Sequence, residues 1–135
     1  MNNHSSQIEA LIHILQTGTP NAAYQAGKEL MGFGHAAEEP LSRLLGESKD
    51  ALKVRHILNI LEEVKVSKPG SVETVVRLLR HDQNFVRGSA AQCLLRSSPK
   101  LRPFIGQIQA ALKQEKDTNV RQILQKLLDR YPKDA

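Results

Sequence analysis

The side chains able to do chemistry in this chain are few and scattered. The single thiol, Cys93, follows Val86 by seven residues and shares a helical face with Ala90 and Leu94. A thiol on such a face is expected to be buried and inert rather than nucleophilic. Being alone, it also rules out an intrachain disulfide and a cysteine-based zinc site. The five histidines, His4, His13, His35, His56 and His81, fall on different segments with no pair at i and i+4 to clasp a metal. A metal site would have to arise by convergence of distant segments, and none is assigned. Of these, His13 faces away from the stripe of Ile8, Leu11, Ile12 and Leu15 and is expected in solvent. Glu38-Glu39 and Glu62-Glu63 are neighbours in sequence, and such neighbours do not face each other on a helix. They read as solvated faces, not as an acid and base pair. The glycines stand at helix ends, so there is no Gly-rich phosphate loop after a strand. On these residues the chain is read as no enzyme and is given no cofactor.

Charge offers the sharper signal. The net charge is +5, and the excess is uneven: residues 1 to 40 carry Lys28 against four acids, whereas 65 to 113 carry nine bases against Glu73 and Asp82. Lys65 and Lys68 belong to one inter-repeat loop and Lys100 and Arg102 to the next, with Arg96 close by at a helix end. Stacked repeats would align them as one basic edge able to meet phosphates, nucleic acid or an acidic protein. Against nucleic acid stands the lack of aromatics for base stacking, since Phe85 and Phe104 are needed inside.

Positioning falls to helices. Hydrophobic residues make up 40% of the 135 but aromatics only 4%, so the interior must be Leu, Ile, Val and Ala, which suits closely packed helices in one domain. The chain is also self-similar. Asp50, Val54 and Arg55 lead to Leu58 and Leu61; Asp82, Val86 and Arg87 lead to Ala90, Ala91 and Leu94; Asp117, Val120 and Arg121 lead to Leu124 and Leu127. A weaker copy starts at Ala22, and the anchors Ala22, Val54, Val86 and Val120 are 32, 32 and 34 residues apart. Before each anchor runs a second apolar ladder: Ile8 to Leu15, Leu41 to Leu45, Val72 to Leu79, and Leu101 to Leu112. Each unit is therefore helix A, turn, helix B. Ser6 with Glu9 reads as a capping box, and Thr19-Pro20 as cap and first residue of a helix. Gly32 to Gly34, Lys68 to Ser71 and Ser97 to Pro99 separate the units.

With Asp82, Val86, Arg87, Ala90, Ala91 and Leu94 as its best match, the pattern resembles the HEAT-like repeat family, including the phycobilisome-lyase type. The resemblance spans roughly residues 6 to 131. It implies an all-α, armadillo-like fold, a right-handed α-α superhelix of about four helix pairs, in a single domain over 1-135 with repeats 6-34, 35-68, 69-98 and 99-132. It also implies a structural ladder of Asp50, Arg55, Asp82, Arg87, Asp117 and Arg121 linking adjacent repeats, with Gly18 and Ala23 replacing acid and base in the first. Pro40 and Pro103 match the kinked first helices of the family, or simply occupy first turns. The function expected is a non-catalytic protein-interaction scaffold. Its concave face of B helices would carry Tyr24, His56, Asn59, Gln92, Gln122 and Gln125 toward another protein. The apolar end near Leu127, Leu128 and Tyr131 suggests self-association. No apolar stretch approaches the length of a membrane span, so a cytoplasmic protein is expected.

Overall fold

In the computed structural model, which describes residues 3–131, eight α-helices follow one another in four pairs. They are α1 (Asn3–Thr17) and α2 (Pro20–Gly32), α3 (Glu38–Glu47) and α4 (Ala51–Val64), α5 (Pro69–Arg77) and α6 (Asn84–Ser97), and α7 (Ile105–Gln114) and α8 (Thr118–Asp129). Short 3₁₀ turns stand at 34–37, 78–80 and 102–104, and no strand occurs among the described residues. None of these helices is long and apolar enough to cross a membrane.

Local chemistry sets most of the starts. Thr19 accepts the Ala22 amide at 3.2 Å ahead of Pro20. Asp50 accepts Leu52 and Lys53 amides at 2.9 and 3.3 Å, and Asp117 accepts that of Val120 at 3.1 Å. Each satisfies amides that a helix leaves without partners. The expected capping box is not made. Ser6 lies inside α1, which already runs from Asn3, so the Ser6–Glu9 capping box does not form. Asp82 stands one residue too early, because α6 begins behind Gln83, whose amide is taken by His81 Nδ1 at 3.0 Å. Pro40 occupies the first turn of α3, and Pro103 the 3₁₀ turn before α7, where a missing amide costs little.

The second helices pack in series, α2 on α4, α4 on α6 and α6 on α8, while α1 meets α3 and α3 meets α5. The first-helix row loosens at its end, where α7 touches the 3₁₀ turn 78–80. Leucines, isoleucines and valines from both rows form one core, with Leu30, Leu41, Leu58, Ile60, Leu61, Leu94 and Leu124 at its centre. Ala90 and Ala91 are fully enclosed, which lets α6 lie close between its neighbours. Gly27 does the same between α2 and α4. A Cβ there would stand 2.9 Å from Ile60 Cδ1 and 3.1 Å from His56 Nε2.

Polar links between successive pairs recur at separations of 28 to 37 residues, close to the sequence period. One of them involves a carboxylate that its sequence neighbours would leave in solvent. Glu38 is fully buried: it accepts the Ser67 and Lys68 amides at 2.7 and 2.8 Å and the Ser67 hydroxyl at 2.9 Å. Burial alone would raise its pKa, but these donors and the Ser71 hydroxyl outweigh it and hold the carboxyl below its ordinary value. Glu39, next to it, is exposed. The last pair is tied on in the same way, with the Tyr131 hydroxyl accepting the Leu101 amide at 3.2 Å and donating to the Pro99 carbonyl at 3.1 Å. The end of the array is accordingly less apolar than expected: Leu127 is buried, and Leu128 and Tyr131 are half-buried against the core. Residue 132, the last of the fourth segment, lies outside the described residues.

Candidate partner-binding surface

The arginines with the most conspicuous spacing are occupied within the scaffold. Arg87 sets its guanidinium fork on Glu115 of the next pair at 2.8 and 3.1 Å and also donates to the His81 and Asp82 carbonyls at 2.8 and 3.1 Å. The hydrogen bond to Glu115 raises the Arg87 pKa, while Glu115 itself is buried. Arg121 closes the loop before α8, donating to the Leu112 and Glu115 carbonyls at 2.9 and 2.8 Å. The Arg55 guanidinium lies 5.0 Å from the Phe85 ring centroid. Among the described residues the close partner of Arg87 is Glu115 rather than an aspartate, although the charges of Asp117 and Asp82 also act on it. Arg87 chooses Glu115, and Asp117 is reached instead by Asn84 at 2.9 Å, the first of the contacts that lower its pKa. Glu115 was missed in sequence because its partner lies 28 residues away.

The thiol is equally withdrawn. Cys93 is fully enclosed, and burial pushes its pKa up to about 12. Among the described residues no group of three or more His, Cys, Asp or Glu side chains is placed to hold a metal.

Of the residues expected to meet a partner, Tyr24 and His56 are brought together. Tyr24 projects from α2, 57% exposed, with its ring parallel to the imidazole of His56 at 6.4 Å and 15°. Lys28, one turn on, places its ammonium 5.6 Å from the Tyr24 centroid. The approach depends on Gly27, beside which His56 packs. Half-burial lowers the His56 pKa, so the stacked ring is neutral at pH 7. One turn before His56, Leu52 is 61% exposed. That residue escaped the sequence reading although its signal was there: a leucine two places before Val54, off the buried ladder of α4. His56 also lines a cleft of about 320 Å³ with Leu15, Leu44 and Ile57 among its walls and Lys49, Asp50 and Lys53 beside them. Lys53 closes one side by donating to the Gln16 carbonyl.

The remaining expected residues are spread along the second-helix row. Asn59 is exposed one turn beyond His56, and Gln92 is half-buried on α6. Gln122 and Gln125 are exposed on α8, where Gln125 donates to Asp129 at 2.9 Å. The basic edge is less free than its composition suggests. Lys68 pairs with Glu39 at 3.7 Å, Arg96 with Glu62 and Glu63 at 3.4 and 3.9 Å, and Arg102 lies 5.6 Å from the Tyr131 centroid. Among the described residues Lys65 and Lys100 form no ion pair.

No family model, curated protein or solved structure matches the chain.

Proposed function

We propose that the four helix pairs wind as a short right-handed HEAT-like superhelix whose second-helix row is the concave face of a protein-binding module. The partner, a helix or extended segment of another protein, docks on α2 and α4. One observation carries this reading: an exposed tyrosine, stacked on a neutral imidazole, beside an exposed leucine and a cleft with apolar walls. Rigid aromatics flanked by polar groups anchor protein interfaces at low entropic cost. The Tyr24 phenol, His56 and the Asn59 amide can exchange hydrogen bonds with a partner backbone. Catalysis has little support, because the thiol is sealed and Glu38, Glu115, Arg87 and Arg121 are committed to packing contacts. A lone reduced thiol fits a cytoplasmic setting.

Affinity capture from native lysate tests it, comparing the natural chain with Tyr24→Ala, with His56→Glu plus Asn59→Lys, and with Lys65→Gln plus Lys100→Gln. The reading expects one defined protein to be lost with the first two and retained with the third. Retention of every captured protein by Tyr24→Ala and by the His56 and Asn59 pair would remove this face as the site.

A further inference from the structure

Two successive loops, 65–68 between α4 and α5 and 98–101 between α6 and α7, flank a groove of about 620 Å³ that also receives His35. We propose that this groove is a binding site for a small polyphosphate anion, gripped between Lys65 and Lys100. It shares no residue with the Tyr24 and His56 surface and does not depend on it.

The walls are fixed before any ligand arrives. The Val66 amide donates to Ser97 Oγ at 2.9 Å, and Glu38 from beneath holds the Ser67 and Lys68 amides. Across the groove, Arg130 donates to Ser98 Oγ and the Leu95 carbonyl at 2.9 and 3.1 Å. A preformed site loses little freedom on binding.

Its accessible charge is positive. Glu39 pairs with Lys68, and Glu62 and Glu63 with Arg96, while Glu38 keeps its charge but is buried behind the Ser67 and Lys68 amides and lies 3.7 Å from His35 Nδ1. Lys65 and Lys100 form no ion pair among the described residues and both line the groove. The Ser67 and Ser98 hydroxyls already donate to Glu38 and to the Leu95 carbonyl, so the grip rests on the two lysines.

The backbone sharpens the assignment. Lys65 and Ser98 each follow the last residue of a second helix, and both adopt left-handed φ, 77° and 51°. Glycine takes this position without strain. Side chains kept there at a conformational cost, at equivalent places in adjacent repeats, both face the same groove.

Charge density favours a polyphosphate over a peptide carboxylate. Arginine forks would grip either anion, but Arg96, Arg102 and Arg130 are each engaged elsewhere. What is left is two lysines, compact point charges suited to phosphate oxygens.

Calorimetric titration in low-salt buffer tests the site with three probes: tripolyphosphate, hexaglutamate and a single-stranded oligothymidylate. Tripolyphosphate should saturate one site per chain and bind more tightly than hexaglutamate. Lys65→Gln with Lys100→Gln should weaken it roughly tenfold or more, and Lys126→Gln on α8 should leave it unchanged. Circular dichroism verifies folding, and Lys100→Gln alone serves if the double variant does not fold. No saturable binding, equal binding of hexaglutamate, or indifference to the lysine variants overturns the proposal. Binding of the oligonucleotide without tripolyphosphate overturns it in favour of a nucleic-acid track. Loss of this site would leave partner capture through Tyr24 untouched.

Discussion

Replacing Glu38 by alanine removes a carboxylate that is wholly enclosed and hydrogen-bonded. Its two oxygens receive the Ser67 amide, the Lys68 amide and the Ser67 hydroxyl at 2.7, 2.8 and 2.9 Å. The hydroxyl can turn to another acceptor, but the amides cannot. Ser67 and Lys68 are themselves exposed, so water partly replaces the carboxylate and each orphaned amide costs about 1–2 kcal/mol, while the lost methylene contacts add about 1 kcal/mol. The expected loss is therefore about 3–5 kcal/mol at pH 7, read as a lower urea midpoint in a circular dichroism melt. The folded-state pKa of Glu38 lies below its ordinary 4.5, so the carboxylate form is the one that stabilises the fold. That contribution is complete above the unfolded pKa and fades as pH falls through the folded one. The gap between natural chain and variant should accordingly be widest at pH 7 and narrow below pH about 4.5. A loss under about 0.5 kcal/mol, well short of a single orphaned donor, would refute the reasoning, and so would a gap that stays constant into acid.

Three further outcomes follow from the packing. Ala90→Leu should overfill the enclosed side of α6 and cost about 1–3 kcal/mol in the same melt, where a neutral result would contradict the close helix approach. Arg87→Ala should cost about 3–5 kcal/mol because it strands the buried Glu115 carboxylate, and Glu115→Gln should recover part of that in a double-mutant cycle. Cys93 should resist a maleimide in the native state at pH 8 and react quickly in urea, since its pKa is pushed up to about 12; equal rates would mean an open thiol.

How much of this was legible in the sequence depends on the range of the interaction. Helix positions and the caps at Thr19, Asp50 and Asp117 rest on contacts within a few residues, and apolar ladders announce them. Enclosure of Cys93 also follows from its place on such a ladder. The Tyr24 and His56 pair could be named as surface residues, but their stacking needs Gly27 to admit the imidazole, which is a contact between helices. Glu38 looked identical to Glu39, and only a loop 29 residues further on separates a buried acceptor from a solvated one. The same holds for Glu115 and Arg87, which sit 28 residues apart. Asp82 fails as a cap for a subtler reason: the start of α6 moves by one residue, enough to leave the carboxylate out of reach. Pattern reports which face is apolar, while the fate of a charge depends on which donors the next repeat brings to it.

The claim that this array recognises a protein through its second-helix row is tested most directly by site-specific photocrosslinking in native lysate. A photoreactive residue at position 59, beside His56, is compared with one at position 109, exposed on α7. The account predicts one adduct of defined mass from position 59, lost when Tyr24 is replaced by alanine, and none from position 109. That adduct from position 109 instead, or from both positions alike, would contradict it.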